Sequence, residues 1–190
     1  ADEHEAIQSV IKSITIEGGS YPESLDLLTP AQLDLMRAQY RKHLSIDEQT
    51  ANVDKAPLNL VHLPLIWRLF PGAKVLVMIR HPLDVCFSCY FQQFSPHAVS
   101  RHFLELGATA DLYCNVMSLL KEYQKIPSAP IHLVHYESLI DNFRATMEGV
   151  LGFMELPWSD DIHNYHSKER QEPMVQTPSY HQVIQPIYHH

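Results

Sequence analysis

The chain has 190 residues, with 14 Lys and Arg against 22 Asp and Glu, which gives a formal charge of −8 with histidine neutral. Its length and its 45% hydrophobic content suit one globular domain and exclude a disordered chain. The acidic balance argues against a general binder of nucleic acids or membrane surfaces, and no apolar run approaches the roughly 20 residues that a membrane span needs.

The first half of the chain is expected to be mostly helical. Three helices are predicted, over residues 3–16, 30–43 and 58–69, and apolar residues have helical spacing in the first of them. Thr29-Pro30 is typical of an N-cap followed by proline at the first helical position, and Pro64 implies a kink or a late start of the third helix. The segment 50–57 is expected to be extended, and residues 50–55 are a candidate third strand.

The second half alternates predicted strands and helices. Two short strands are predicted, over residues 74–79 and 131–134. The first is continuously apolar, which is typical of a strand buried on both faces. Helices are expected over residues 82–94, 101–125, 139–154 and, shorter, 160–167. This alternation predicts an α/β fold with a parallel sheet covered by helices, and so small a sheet is expected to gain a central strand upstream of Ala1.

The strongest local signal lies where the first predicted strand gives way to a helix. Arg80 follows the strand, and Ser88 comes one turn beyond Asp84 in the helix. Parallel α/β sheets bind ligands at the carboxyl ends of their strands, and a helix N-terminus there favours an anion. A guanidinium and a hydroxyl at this place predict a phosphate site. The alternative is that Arg80 pairs with a carboxylate and that Ser88 only packs.

A second signal is Lys55, which stands in the extended segment before Pro57. A fixed lysine can neutralise the charge that builds on a bridging oxygen in phosphoryl or sulfuryl transfer. The alternative is an ordinary surface lysine.

Cysteines and histidines predict neither a redox site nor a metal site. Cys86 and Cys89 have the redox spacing, but they lie inside a predicted helix. Three cysteines cannot form a disulfide framework, so a reducing compartment is expected. The 13 histidines show no spacing typical of metal ligands, so no metal is expected.

Several separated blocks of the sequence resemble PAPS-dependent sulfotransferases, PAPS being adenosine 3'-phosphate 5'-phosphosulfate. The blocks are, in chain order, residues 54–59, 69–74, 78–85 together with Ser88, 135–139 and 179–187. The resemblance is closest to bacterial sulfotransferases that are often fused to tetratricopeptide repeats and are related to protein-tyrosine sulfotransferases. It implies a three-layer, P-loop-NTPase-like α/β fold that forms one domain over residues 1–190 of a longer chain.

The resemblance also implies a nucleotide site. Arg80 and Ser88 correspond to the pair that binds the 3'-phosphate, and Tyr136 corresponds to a tyrosine of the same site. The loop that closes over the nucleotide corresponds to a segment near the end of the chain that includes Ser179, Gln182 and Gln185.

Two catalytic residues are implied in the same way. Lys55 corresponds to the lysine that stabilises the sulfuryl group and the bridging oxygen. Glu3 falls where tyrosine sulfotransferases have the carboxylate that takes the acceptor's hydroxyl proton, and Glu5 and His62 are the alternatives for this base.

The activity implied is transfer of a sulfuryl group from PAPS to a hydroxyl of a tyrosine, a sugar or a small molecule, without a metal. The family's glycine-rich loop for the 5'-phosphosulfate does not occur in these 190 residues. Two alternatives therefore stay open: an inactive sulfotransferase-like binding module, and a nucleotide or small-molecule kinase on the same fold. The expected partners are the acceptor and an upstream repeat domain of the same polypeptide, with no nucleic acid and no membrane. The expected location is the cytoplasm, or the Golgi lumen for a eukaryotic relative of the tyrosine enzymes.

Overall fold

The chain separates into two compact units, Ala1–Ala73 and Lys74–His190. We call them the first and the second unit. The computed structural model describes residues 6–16, 20–44, 52–92, 94, 99–127 and 129–164.

The described part of the first unit is helical. Its elements are α1 (Ala6–Ile16), a 3-10 helix (Glu23–Leu27), α2 (Pro30–Leu44), a second 3-10 helix (Pro57–His62) and α3 (Leu63–Leu69). The start of α2 is confirmed at Pro30, and a reciprocal capping box fixes it. Gln32 N donates to Thr29 Oγ1 at 3.3 Å, while Thr29 N donates to Gln32 Oε1 at 3.0 Å.

One of the two alternatives for Pro64 is confirmed, and the candidate strand of the first unit is wrong. The helix predicted over 58–69 is α-helical only from Leu63, because Pro64 has no N–H to donate and is tolerated in the first turn of a helix but not in its interior. Pro64 therefore marks a late start and not a kink. The candidate strand over 50–55 does not form in its described residues, 52–55, which pair with no strand of the described chain.

Apolar side chains from all three α-helices form the core of the first unit. The fully or almost fully buried members include Ile7, Val10, Leu33, Met36, Leu65 and Leu69. Burial of each such side chain contributes about 1.5–3 kcal/mol, so this packing holds the helices together.

The second unit alternates strands with helices, as the sequence predicts. Its elements are β1 (Val75–Ile79), α4 (Pro82–Phe91), a 3-10 helix (Ser100–Leu104), α5 (Leu106–Gln124), β2 (Ile131–His135), α6 (Tyr136–Asp141), α7 (Phe143–Met154) and a 3-10 helix (Asp160–Asn164). The two strands pair in parallel, with Val75 opposite Ile131 and Ile79 opposite His135. The α/β class and the parallel pairing are thereby confirmed.

Two of the predicted helices are interrupted. The helix expected over 101–125 is a 3-10 turn followed by α5, and the two are separated at Glu105, whose backbone is extended. The helix expected over 139–154 begins earlier and divides into α6 and α7 at Asn142, whose side chain accepts from Ala145 N at 3.4 Å and caps α7.

Strand β1 is not buried on both faces, contrary to the expectation from its apolar run. Leu76 is 43% exposed and Met78 is 57% exposed, whereas Val75, Val77 and Ile79 are half-buried. Successive side chains of a strand point to opposite faces, so one face of β1 is covered and the other lies open in the part of the chain that the structure describes.

Candidate functional site

The parallel register of the sheet brings two predicted site residues together. Because Ile79 pairs with His135, Arg80 and Tyr136 each follow the last residue of their strand at the same sheet edge. The Arg80 guanidinium carbon lies 5.2 Å from the centroid of the Tyr136 ring, which is a cation–π distance. The ring face therefore supports the guanidinium from one side.

A carboxylate of α4 also contacts Arg80. Arg80 Nε donates to Asp84 Oδ2 at 3.3 Å, and the two side chains are 31% and 48% exposed. This contact is the carboxylate pairing that the sequence left open as an alternative for Arg80. A guanidinium carries five N–H donors, so pairing through Nε leaves donors for an anion.

Ser88 lies one helical turn beyond Asp84 on α4. Residues four apart share a helix face, so Ser88 and Asp84 lie on the same side of α4. The Ser88 side chain is exposed, and its hydroxyl can donate to a ligand at this face. The predicted pair of Arg80 and Ser88 thus belongs to one strand end and the helix that follows it.

Glu137, which the sequence analysis passed over, ties the two strand ends together. Its Oε1 accepts from the backbone N–H of His81, at the start of α4, at 2.9 Å. The bonds to its own backbone N–H and to that of His81 lower the pKa of the Glu137 carboxyl. The local signal was its place directly after Tyr136, but the partner is 56 positions away in the sequence.

Lys55 lies in the first unit, between two ordered neighbours. Its side chain is exposed, and residues 52–56 run without helix or strand up to the 3-10 helix that begins at Pro57. The preceding residue, Asp54, accepts hydrogen bonds from the Tyr40 hydroxyl at 2.7 Å and from Asn59 Nδ2 at 2.9 Å. Hydrogen bonds from Tyr40 and Asn59 to Asp54 therefore hold the chain next to Lys55 in place.

His62, one of the alternatives for the base, has both ring nitrogens in hydrogen bonds. Gln8 Nε2 lies 3.0 Å from His62 Nε2, and the Tyr21 hydroxyl lies 2.8 Å from Nδ1. Burial lowers the pKa of His62, which favours the neutral ring. With the Gln8 amide donating, the basic nitrogen is occupied, and this arrangement favours a structural role for His62.

The remaining predicted site residues lie outside the described residues. They are Glu3, Glu5, Ser179, Gln182 and Gln185.

The cysteines of the second unit are free thiols. Cys86 is buried and Cys89 half-buried, and burial raises the pKa of both. A raised pKa disfavours the thiolate that disulfide exchange requires. Within the described ranges no cluster of three His, Cys, Asp or Glu side chains could hold a metal ion.

An open cavity of about 400 Å³ lies beside the start of α5. Its lining consists of Arg101, His102, Leu104, Glu105 and Ala108. No residue of the predicted nucleotide site lines it, and its charges are of both signs, so it supports no particular ligand. No helix in the described ranges combines the length and the apolar content needed to cross a membrane.

Comparison with known proteins identifies the family. Residues 6–160 match the family model described as "Sulfotransferase family", and this range includes Lys55, Arg80 and Tyr136. The chain is also similar to an uncharacterized protein of Aquifex aeolicus (strain VF5), with 31% identity over 137 residues, which is 72% of the chain and 18% of that relative. The chain thus spans less than a fifth of the length of this curated relative. Because the family match covers most of the chain, the chain belongs to the sulfotransferase family.

Proposed function

We propose that the protein transfers a sulfuryl group from PAPS to a hydroxyl group of its acceptor, and that Arg80 binds the 3'-phosphate of the nucleotide. The observation that carries the proposal is the contact of Arg80 with Tyr136 at the aligned ends of the two parallel strands. Ser88, on the helix that follows Arg80, supplies a hydroxyl donor to the same phosphate. These are the groups that the family resemblance implies for this site.

The donor set fits a phosphate. A guanidinium forms charge-assisted, often bidentate hydrogen bonds with phosphate oxygens, and a serine hydroxyl adds one more donor. The aromatic face of Tyr136 holds the guanidinium from one side, which reduces the side-chain entropy lost on binding. Asp84 is the unfavourable member of the site, because its carboxylate competes with the phosphate for Arg80.

Each remaining residue has a defined task. PAPS supplies the activated sulfuryl group, and Lys55 stabilises the negative charge that develops on the bridging oxygen. Glu3, with Glu5 as the alternative, accepts the acceptor's hydroxyl proton. Positioning and charge stabilisation then supply most of the rate enhancement, as in phosphoryl transfer, with lysine and arginine as the source of positive charge.

The proposal extends to the whole protein. We propose a P-loop-NTPase-like fold, a position among the sulfotransferases associated with tetratricopeptide repeats, an upstream repeat domain and a cytoplasmic location. The parallel pairing of β1 with β2 supports the fold, and the three free thiols of the second unit support a reducing compartment.

Binding of adenosine 3',5'-bisphosphate to the natural full-length protein tests the site. We expect calorimetry to show tighter binding of this nucleotide than of adenosine 5'-monophosphate, which lacks the 3'-phosphate. Arg80→Ala should weaken the binding on the order of 10- to 100-fold, because it removes hydrogen bonds to a charged group. Arg144→Ala is the matched control, since Arg144 pairs with Glu148 on α7 and has no role in the proposed site.

Three outcomes would contradict the proposal. Equal affinity of the Arg80→Ala variant and the wild type would rule out this phosphate site. Preference for ATP over the bisphosphate would favour the kinase alternative. Binding of the bisphosphate without transfer of labelled sulfate from PAPS to tyrosine peptides, sugars or phenols would favour the inactive binding module.

A further inference from the structure

The side chain before Lys55 is held by two different elements of the first unit. Asp54 Oδ2 accepts from the Tyr40 hydroxyl on α2 at 2.7 Å and from Asn59 Nδ2 on the second 3-10 helix at 2.9 Å. Its other oxygen, Oδ1, is buried and has no hydrogen-bond partner among the described residues. A carboxylate oxygen can accept two hydrogen bonds, so Oδ2 satisfies both donors.

Tyr40 is itself firmly placed. Tyr40 is 9% exposed, and its ring lies 5.0 Å from the Phe70 ring, centroid to centroid. Burial, the hydrogen bond to Asp54 and the charge of Asp54 raise the pKa of the Tyr40 hydroxyl, so it stays protonated and keeps donating. The Tyr40 hydroxyl is therefore a fixed donor and not a mobile surface group.

Asp54 and Lys55 are successive residues of the extended segment. Side chains of successive residues in an extended segment point to opposite sides, and here Asp54 turns inward while Lys55 is exposed. Downstream, Ala56 is extended (φ −140°, ψ 117°), and Asn59 N donates to Ala56 O at 3.0 Å, which fixes the backbone after Lys55. The lysine thus has an anchored residue on each side.

We propose that Asp54, held by Tyr40 and Asn59, is a positioning residue that fixes the direction of Lys55 for the transfer reaction. This inference rests on the proposed role of Lys55. A lysine side chain has many rotamers, and an ordered backbone reduces the entropy that must be lost when its ammonium meets the bridging oxygen.

Tyr40→Phe tests the proposal, because it removes one hydroxyl and leaves the ring that packs on Phe70. We expect the kcat of the full-length protein to fall about tenfold. The assay follows turnover of radiolabelled PAPS with a mixture of phenols, tyrosine peptides and sugars as acceptors. The KM for PAPS should stay unchanged. Asn59→Ala, which removes the other donor, should act in the same direction.

A double-mutant cycle separates positioning from general stability. If Tyr40 acts through Lys55, Tyr40→Phe should have no further effect on the rate in a Lys55→Ala background. A merely structural role would give the same loss in both backgrounds. Tyr21→Phe is the matched control. It also removes a phenol hydroxyl from the first unit, but this hydroxyl is hydrogen-bonded to His62 and not to Asp54.

Hydrogen exchange supplies a readout that does not depend on activity. Amides of residues 52–56 should exchange several-fold faster in Tyr40→Phe and Asn59→Ala, and at the wild-type rate in Tyr21→Phe. Unchanged exchange in both donor variants, or additive rate losses in the cycle, would overturn the inference alone. A wild type without turnover, or a Lys55→Ala variant as fast as the wild type, would overturn the proposed role of Lys55 itself.

Discussion

At the residue scale, the guanidinium of Arg80 has two contacts that affect a bound phosphate in opposite ways. The Tyr136 ring supports the guanidinium without using its N–H donors. The Asp84 carboxylate accepts the Nε–H and places a negative charge beside the proposed phosphate site. On the proposed role of Arg80, a phosphate has to compete with Asp84 for the guanidinium, and the ion pair is expected to lower its affinity.

Asp84→Asn should strengthen binding of adenosine 3',5'-bisphosphate about two- to fivefold. The change removes a partly exposed ion pair, which is worth roughly 0.2–1 kcal/mol, and one negative charge beside the phosphate. Calorimetry on the full-length protein measures this affinity for the wild type and the variant. Glu148→Gln, which neutralises the carboxylate of another i, i+4 arginine pair, is the control and should leave the affinity as it is. Weaker binding by Asp84→Asn would show that Asp84 orients Arg80 for the nucleotide.

A contact in the site can be predicted from the sequence when the parallel pairing of two strands is enough to bring its residues together. Arg80 and Tyr136 each follow a predicted strand, and the pairing of two parallel strands brings residues after their ends together. The bond from Tyr40 to Asp54 joins an α-helix to an extended segment, and nothing in the local pattern of either residue indicates it. Glu137 has a local signal in its place after Tyr136, but nothing local indicates its partner, the backbone N–H of His81.

At the element scale, predictions succeed where a helix end depends on neighbouring residues. The start of α2 can be predicted from the sequence because the residues that fix it, Thr29, Pro30 and Gln32, are close together in the chain. The 3-10 segment Pro57–His62 is not readable, since the same apolar spacing fits both kinds of helix over so short a stretch. The open face of β1 is not readable either, because an apolar run shows what a strand can bury and not what covers it.

His62 connects two elements of the first unit, and this connection should make stability depend on pH. Its pKa is lowered from the ordinary value of 6.5 by burial, so between the folded and unfolded pKa values the unfolded chain binds more protons. The contribution of His62 to the free energy of unfolding is complete above about pH 6.5 and is lost as the pH falls below this value.

The melting temperature of the wild type should therefore fall more between pH 7.5 and 5.5 than that of His62→Gln. Scanning calorimetry at a series of pH values measures both proteins. The other twelve of the 13 histidines are common to the pair, so the difference isolates His62. Parallel curves for the two proteins would mean that the hydrogen bonds to Gln8 and Tyr21 survive protonation of the ring.

At the scale of the whole molecule, the two units differ in how completely they bury their apolar side chains. The first unit buries a continuous cluster from its three α-helices. In the described part of the second unit, several large apolar side chains stay exposed, among them Met78, Leu83 and Phe91. A hydrophobic content of 45% does not distinguish these two situations, because composition counts residues without their places. The single domain expected over residues 1–190 stays a prediction.

Two leucines of the first unit show how much position matters for stability. Leu65 is 0% exposed within the core, whereas Leu35 on α2 is 70% exposed. Leu65→Ala should lower the free energy of unfolding by about 2–5 kcal/mol, because it removes buried methyl groups and leaves a cavity. Leu35→Ala makes the same chemical change at the surface and should stay within about 0.5 kcal/mol. Urea unfolding of the full-length protein measures both changes, and equal effects would show that Leu65 does not belong to a packed core.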